Sequence, residues 1–286
     1  MHKKIVFFVS LGALLLTSCS FDDAGGSKKN SRSTGKPVTE EKAMEIMDEI
    51  TAKKDTLEEL PYRFEYSEVD KTEDDDDIKY IYMNNLDGNR SYSWDVKQGG
   101  KAKSKGVAIQ VTNETYEEVS YFQMTDYDKD GKESVSSGAL TKKDNATYET
   151  EIQSMYQYLT GYSYIQSYLS SIDMVYQYNK ANIDSYVAYR EQDGNLSVAV
   201  AFTSAGEGSL NIIFTTTPKE GAENNDDLIK VEEVIAFENY RPVQVVTRRN
   251  YIGGSYSVDD MSMKYGKNNI SLPSGWEESL YIAPTV

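Results

Sequence analysis

The chain of 286 residues carries 46 acidic and 30 basic side chains, which gives a formal charge of −16 at pH 7. A surface this negative repels nucleic acid and anionic lipid headgroups, so neither is expected as an electrostatic partner. The only histidine is His2 and the only cysteine is Cys19, so an internal disulfide is excluded. The length suffices for one large β-domain or two small ones.

The first residues have the pattern of a secretory signal peptide. Lys3 and Lys4 form a short basic segment, and an apolar run follows over residues 5–16. As a helix this run would rise about 18 Å, whereas the hydrocarbon core of a bilayer is about 30 Å thick. The pattern therefore predicts a signal peptide, residues 1–18, and not a membrane-spanning helix.

The tetrapeptide Leu16-Thr17-Ser18-Cys19 follows directly. It resembles the lipobox of bacterial lipoproteins, which implies cleavage between Ser18 and Cys19 and attachment of lipid to the Cys19 thiol. Two or three acyl chains suffice as an anchor, since each buried CH₂ contributes about 0.8 kcal/mol. The resemblance implies a protein anchored in the cell membrane on its extracytoplasmic face, and Ser20 would permit outer-membrane sorting in a two-membrane host. The alternative is an ordinary secreted protein in which Cys19 is incidental.

Residues 19–37 are rich in glycine, serine and charged side chains and have no apolar period. We interpret them as the lipidated N-terminus and a flexible tether with a reach of about 20–25 Å. Loss of Lys3 and Lys4 with the signal peptide changes the formal charge from −16 to −18. Residues 38–286 are then expected to form a single domain.

A helix is predicted directly after the tether. Thr39 is a suitable N-cap, and Glu40 and Glu41 suit the positive end of the helix dipole. Apolar side chains then recur at helical spacing, namely Ala43, Ile46, Met47, Ile50 and Leu57. Pro61 ends the segment, and the apolar stripe is expected to pack on a larger element.

Patterns of antiparallel strands dominate the rest of the chain. Asp-Gly pairs, which tolerate positive φ and favour hairpin turns, occur at Asp87-Gly88, Asp130-Gly131 and Asp193-Gly194. Alternating or β-forming residues predict strands at 62–69, 78–83, 90–96, 107–111, 116–124, from 133, 196–202, 210–214, 229–238, 242–249 and 256–265. The expected class is α+β.

A helical insertion is predicted over residues 147–178. One apolar face comprises Ile152, Met155, Tyr156 and Leu159, and a second comprises Ile165, Tyr168, Leu169, Ile172, Val175 and Tyr176. At about 100° per residue, an unbroken helix would point the two faces in nearly opposite directions. We therefore expect two helices that join at Gly161 and lie over the sheet.

The chemistry available to the mature chain is limited. His2 leaves with the signal peptide and Cys19 is acylated, which excludes Ser-His-Asp and Cys-His catalysis and His- or Cys-ligated zinc or haem. Carboxylate chemistry stays open, but no pair of acids can be chosen from spacing alone. We therefore expect neither enzymatic activity nor a cofactor.

One segment resembles the start of a calcium-binding loop. Asp126, Asp128, Asp130 and Gly131 match the first half of an EF-hand loop. The last position of such a loop should be a bidentate glutamate and is Ser137 here, and the flanking residues read as strands. A hairpin turn with solvated acids is the alternative, and no metal site is favoured.

The order of the elements resembles that of the LolA-like lipoprotein-carrier superfamily. The closest local similarity is C-terminal, in Arg241-Pro242-Val243 before a strand, in the stretch 256–265, and in the exit Ile270-Ser271-Leu272-Pro273. The resemblance implies a strongly curved antiparallel sheet, an unclosed half-barrel. It also implies that the N-terminal helix and the broken helical insertion cover the concave face, which receives acyl chains.

The resemblance further implies a hydrophobic cavity lined by the insertion and by two strands. The candidate residues are Ile152, Met155, Tyr156, Leu159, Ile165, Leu169, Ile172, Val198, Val200, Phe202, Ile212 and Phe214. The alternative is that these side chains pack on one another as an ordinary core. The corresponding functions are a membrane-anchored lipoprotein that binds or shuttles a lipid or other hydrophobic molecule, or an envelope structural or adhesion module with a filled core.

Replacement of Cys19 tests the anchor. We expect Cys19→Ala to abolish lipoprotein-type processing and retention in the membrane fraction, because the variant has no thiol to acylate. Cell fractionation and the mass of the mature chain measure the two effects. Unchanged processing and membrane association would contradict the lipobox interpretation.

Overall fold

The computed structural model describes residues 35–72, 75–143, 145–152, 162–222 and 227–280. The expected signal peptide, Cys19 and most of the tether lie outside the described residues. The described chain forms two compact units. Unit 1 comprises the residues up to Leu57 together with Ser170–Val258, and unit 2 comprises Glu58–Leu169 together with the residues from Asp259. Among these residues, no helix has the length and hydropathy needed to cross a bilayer.

Strands are the main element of the described chain, and together with the helices they confirm the α+β class. The strands are β1 (Lys36–Val38), β2 (Tyr62–Asp70), β3 (Asp77–Asn84), β4 (Arg90–Gln98), β5 (Lys101–Asn113), β6 (Glu117–Tyr127), β7 (Glu133–Thr141), β8 (Leu196–Ser204), β9 (Leu210–Pro218), β10 (Leu228–Glu238), β11 (Arg241–Tyr251) and β12 (Tyr256–Tyr265). Each strand expected from the sequence is present. β1 is an addition, because Lys36 and Pro37 belong to the stretch interpreted as tether, and it pairs with β8.

The helices are α1 (Glu40–Lys53), α2 (Tyr162–Met174) and α3 (Lys180–Glu191), and residues 148–152 are also helical. α1 begins where the sequence predicted, since the Thr39 hydroxyl accepts the N–H of Lys42 at 3.3 Å. Its predicted stripe is buried, except that Leu57 lies beyond the helix end and is half-buried. α2 carries residues of both units. The predicted break at Gly161 lies outside the described residues.

In unit 2 the strands β2 to β7 pair in chain order, each antiparallel to the next. Gly88 and Gly131 have φ angles of 82° and 81° in the β3–β4 and β6–β7 turns. Both turns are therefore the hairpins that the Asp-Gly pairs predicted. The predicted curvature of the sheet and its covering by helices stay predictions.

In unit 1 the strand order is β1-β8-β9-β10-β11, again with antiparallel neighbours. Side chains from α1, α3 and the segment after α2 pack on one face of these strands. The buried members of this core are Ala43, Ile46, Met47, Ile50, Val175, Tyr176, Ile183, Tyr186, Phe202, Leu210, Ile212, Phe214, Ile235 and Phe237. Unit 1 thus has a conventional core of aliphatic and aromatic side chains.

The third Asp-Gly pair, Asp193-Gly194, does not form a hairpin turn, and that prediction is wrong. The residues before it form α3, and the N–H of Gly194 donates to the carbonyl oxygen of Glu191 at 2.9 Å. A glycine with positive φ, here 74°, suits the end of a helix as well as a hairpin. The signal that separates the two cases is Asn179, which caps the start of α3.

Candidate functional site

Several candidate cavity residues belong to the helical insertion. Three of them lie outside the described residues, namely Met155, Tyr156 and Leu159. Ile165 and Ile172 of α2 are buried, and Leu169 is half-buried. Ile152 is buried in a small cluster with Tyr148 in unit 2. The described part of the insertion therefore contributes mainly buried side chains.

The remaining cavity candidates lie on β8 and β9 in unit 1. Phe202, Ile212 and Phe214 are at most 4% exposed and belong to the core formed with α1 and α3. Val198 packs against the margin of that core, whereas Val200 is 37% exposed. Side chains of α1 and α3 therefore pack next to these strands.

Unit 1 also contains an open groove of about 800 Å³. It lies between β1, α1 and the β8–β9 turn, and its lining residues are Gly35, Lys36, Pro37, Val38, Lys42, Ile46, Glu49, Ser204, Ala205, Gly206, Glu207 and Gly208. The charged side chains and backbone in this lining differ from the predominantly apolar lining of a lipid cavity. We therefore do not assign a hydrophobic ligand to the groove.

Unit 2 contains a concentration of aromatic rings that the sequence analysis did not recognise. Three neighbouring strands carry aromatic residues two positions apart, and pairing aligns six of these residues in two rows. One row is Phe64, Tyr82 and Tyr92, and the other is Tyr66, Tyr80 and Trp94. We refer to these six residues as the aromatic face. All but Tyr80 are at most 9% exposed, so the face is largely buried.

Small residues on β5 allow the rings at one end of the aromatic face to lie over the next strand. Gly106 is opposite Trp94, and a Cβ atom at Gly106 would overlap the Trp94 ring. Ala108 is opposite Tyr92 in the same way. The rings of Tyr92 and Trp94 are stacked, with centroids 5.4 Å apart and an angle of 16° between their planes. A larger residue at position 106 would force Trp94 off the sheet.

α2 contributes one further ring to the aromatic face. The ring of Tyr168 stacks on that of Tyr66, with 4.2 Å between centroids and 16° between planes, and is 6.4 Å from that of Phe64. Offset stacking of this kind adds roughly 0.5–1.5 kcal/mol per pair beyond the burial of apolar area. Tyr168 was predicted on an apolar face of the insertion, and it meets the sheet at this point.

A pair of carboxylates lies at the edge of the aromatic face. The Tyr66 hydroxyl donates to Glu68 Oε2 at 2.9 Å and is 3.4 Å from Asp259 Oδ1. Burial raises the pKa of Glu68; the Tyr66 hydrogen bond opposes this effect, and the charge of Asp259 adds to it. We refer to Glu68 and Asp259 as the acidic margin. Both side chains are half-buried, so water reaches this edge of the face.

The Tyr92 hydroxyl is an exception to the rule that buried polar groups are hydrogen-bonded. Tyr92 is 3% exposed, and its hydroxyl has no hydrogen-bond partner in the described part of the chain. Burial raises the pKa of Tyr92, and the neighbouring hydroxyls of Tyr80 and Tyr168 act in the same direction. The aromatic face therefore holds a group of tyrosine hydroxyls, one of which is unsatisfied.

A second polar cluster in unit 2 is fully hydrogen-bonded. The Tyr148 hydroxyl donates to Glu118 Oε1 at 2.8 Å and lies 3.2 Å from the Ser120 hydroxyl. Gln110 Nε2 donates to the same Glu118 oxygen at 2.5 Å, and Gln110 Oε1 accepts from Arg90 Nε. A network with partners on every side is typical of a structural interior, so we assign no ligand to it.

The calcium candidates form a turn. Asp128 Oδ1 accepts backbone N–H groups of Asp130 and Lys132, each at 2.9 Å, which fixes the β6–β7 hairpin. Asp126 is exposed at the end of β6. Within the described ranges, no group of three or more Asp, Glu, His or Cys side chains is placed to hold a metal ion.

No protein-family model matches the sequence, and no curated protein matches it. Among solved structures, a LolA superfamily protein from Nitrosomonas europaea matches with 12% identity and a TM-score of 0.16. The match covers 81% of this chain and 96% of that one. Membership of the LolA-like superfamily stays a prediction from the sequence pattern.

Two glutamates on opposite faces of β2 give a prediction for stability. We expect Glu68→Gln to raise the free energy of unfolding at pH 7 by roughly 0.5–1 kcal/mol, the size of a partly screened charge interaction. The folded state raises the pKa of Glu68, so the ionised carboxylate destabilises the fold as the pH rises above the usual glutamate range. Below about pH 4 Glu68 is protonated in both the folded and the unfolded state, so the increase in the free energy of unfolding should disappear.

Glu65→Gln is the matched control on the opposite face of the strand. Burial alone would raise the pKa of Glu65, but hydrogen bonds from Lys79 and Arg63 outweigh burial and lower it. Its contribution is therefore present at pH 7 and is lost as the pH falls through its lowered pKa. Urea unfolding of both variants across this pH range measures the effect. A destabilised Glu68→Gln variant at pH 7 would contradict the assignment.

Proposed function

We propose that the mature chain is a lipid-anchored protein of the cell envelope that binds a lipid or another hydrophobic molecule on the aromatic face of unit 2. The observation that carries this proposal is the composition of the face together with its unsatisfied hydroxyl. A core built for stability alone favours side chains without polar atoms. Here tyrosines supply most of the rings, and the Tyr92 hydroxyl is buried without a partner in the described residues.

Aromatic side chains combine large apolar surfaces with polar ends, which suits the binding of an amphiphilic molecule. Such sites are mostly apolar and hold a small number of polar groups that orient the ligand. The aromatic face and the acidic margin have this composition. The lipobox resemblance at Cys19 adds the expectation that the site is held near a membrane, where hydrophobic ligands are available.

A second candidate function is the envelope structural or adhesion module. The core of unit 1 favours it, because Phe202, Ile212 and Phe214 pack in one buried cluster with side chains of α1 and α3. In this alternative the aromatic face of unit 2 is likewise a core that takes up no ligand. The two candidates differ in whether the aromatic face responds to a hydrophobic molecule.

The two tryptophans provide a matched test, because they pack on opposite faces of the unit 2 sheet. Trp94 belongs to the aromatic face, whereas Trp276 packs with Val111, Val119, Tyr121 and Ala139 on the other face. The chain has only these two tryptophans. Trp276→Phe therefore leaves Trp94 as the sole reporter, and Trp94→Phe leaves Trp276.

We expect bromododecanol, a neutral amphiphile with a short-range quencher, to quench the fluorescence of Trp94 saturably and to leave that of Trp276 nearly unchanged. The mature chain, residues 19–286 with Cys19→Ser, carries no lipid of its own, so the titration needs no detergent. Equal quenching of both tryptophans, or none of Trp94, would contradict the proposal. Circular dichroism of both variants checks that they fold.

A further inference from the structure

We propose that the ligand of the aromatic face is an amphiphile with an ammonium headgroup, which the acidic margin binds. This inference rests on the proposed function and specifies the class of ligand. It is carried by the position of Glu68 and Asp259 relative to the rings, by the charges that surround Glu68, and by the Tyr92 hydroxyl, which has no hydrogen-bond partner among the described residues.

The first argument is the order of residues along β2. Side chains alternate between the faces of a strand, so Phe64, Tyr66 and Glu68 share one face, with roughly 7 Å between successive members. Phe64 and Tyr66 are buried, whereas Glu68 is half-buried. The face therefore changes from apolar to negatively charged within two residues, and water reaches its charged end. An amphiphile with an apolar tail and a positive head has the complementary order.

The second argument is the charge around Glu68. The Tyr66 hydroxyl donates to Glu68, and among the described residues the charges of Asp259, Asp70 and Asp76 act to raise the pKa of Glu68. The nearest lysine in the sequence, Lys71, forms ion pairs elsewhere, with Asp75 at 2.5 Å and with Asp77 at 3.0 Å. The surroundings of Glu68 therefore favour a cation.

The other face of the same strand shows the contrast. Glu65 forms ion pairs with Arg63 at 2.9 Å and with Lys79 at 2.5 Å. Glu65 thus pairs with two basic side chains of the protein. Glu68, on the aromatic face, has a hydrogen bond from a hydroxyl and lies near further carboxylates. The protein neutralises the charge of Glu65 with its own basic side chains, whereas Glu68 lies beside aromatic rings. A carboxylate next to aromatic rings is a suitable site for a cation.

The third argument is the set of rings and hydroxyls on the aromatic face. The negative faces of aromatic rings attract ammonium groups. Tyr66, whose hydroxyl donates to Glu68, stacks on Tyr168. Tyr92 is 3% exposed, and its hydroxyl has no hydrogen-bond partner in the described chain. The hydroxyls of Tyr80 and Tyr168 are near enough to influence it. Its oxygen can accept a hydrogen bond from an ammonium N–H.

The test compares three probes that share a dodecyl chain and differ only in the headgroup: dodecylammonium, dodecanol and dodecanoate. Calorimetric titration uses the mature chain, residues 19–286 with Cys19→Ser, below the micelle concentration of each probe. We expect dodecylammonium to bind roughly tenfold more tightly than dodecanol, since a hydrogen bond to a charged group adds about that factor. Dodecanoate should bind most weakly, because the margin repels it.

Glu68→Gln should abolish the preference for dodecylammonium over dodecanol, and Asp259→Asn should act in the same direction. Glu65→Gln is the matched control, because it removes the same charge from the opposite face and should keep the preference. This control separates a local effect from attraction to the net negative charge of the chain.

Equal binding of the three probes, or a preference that Glu68→Gln and Glu65→Gln reduce alike, would overturn the ammonium inference while the proposed function stands. Failure of the chain to bind any probe would overturn the proposed function as well. The two failures are therefore distinguishable in one experiment.

Discussion

The alternation of side chains along the strands of unit 2 is the constraint on which the rest of that unit depends. Every second residue of β2, β3 and β4 lies on the same face, and these positions include the six rings of the aromatic face. The alternate positions place Arg63, Glu65 and Lys79 together on the opposite face, where they form ion pairs. A slip of one residue in the pairing of β2 would move its rings to the charged face, so the register is strongly determined.

The pairing across β4 and β5 depends in turn on glycine. The Trp94 ring lies over Gly106, and a side chain there would overlap it. Gly138 on β7 has the same role beneath Phe122 of β6, on the same face of the sheet. Glycine on one strand thus leaves space for an aromatic ring of the neighbouring strand, an interaction that stabilises sheets that contain glycine.

The two units use different chemistry for their interiors. The core of unit 1 combines Ile, Phe and Leu from strands with the apolar stripe of α1, and it needs few polar atoms. The interior face of unit 2 is mainly tyrosine, so burial there brings hydroxyl groups that need partners. Tyr66 meets this need with Glu68 and Asp259, whereas Tyr92 does not meet it within the described residues. This difference locates the proposed binding site in unit 2.

The sequence predicted the secondary structure well because its signals are local. Alternation marked the strands, Thr39 marked the start of α1, and Asp87-Gly88 and Asp130-Gly131 marked two hairpins. The prediction failed at Asp193-Gly194, because a glycine with positive φ suits both a hairpin turn and the end of a helix. Asn179, the N-cap of α3, is the sequence signal that indicates the helix.

The aromatic face was predictable in part. Extending the pairing outward from the Asp87-Gly88 turn would have placed Tyr82 opposite Tyr92, as observed. The acidic margin was not predictable, because Tyr66 and Asp259 are separated by 193 positions in the chain. No local spacing brings them together, and only the folded unit does. The resemblance instead predicted cavity residues on β8 and β9, and side chains of these strands pack in the core of unit 1.

The measurement that tests the central claim most directly is photolabelling with a diazirine-bearing dodecanol, followed by peptide mass spectrometry. The neutral headgroup makes the result independent of the charge of the acidic margin. The account predicts that labelling concentrates on β2, β3 and β4 around Tyr66 and Trp94 and is competed by excess dodecanol. Labelling of the unit 1 groove at Lys36–Val38, or labelling spread evenly over the chain without competition, would contradict it.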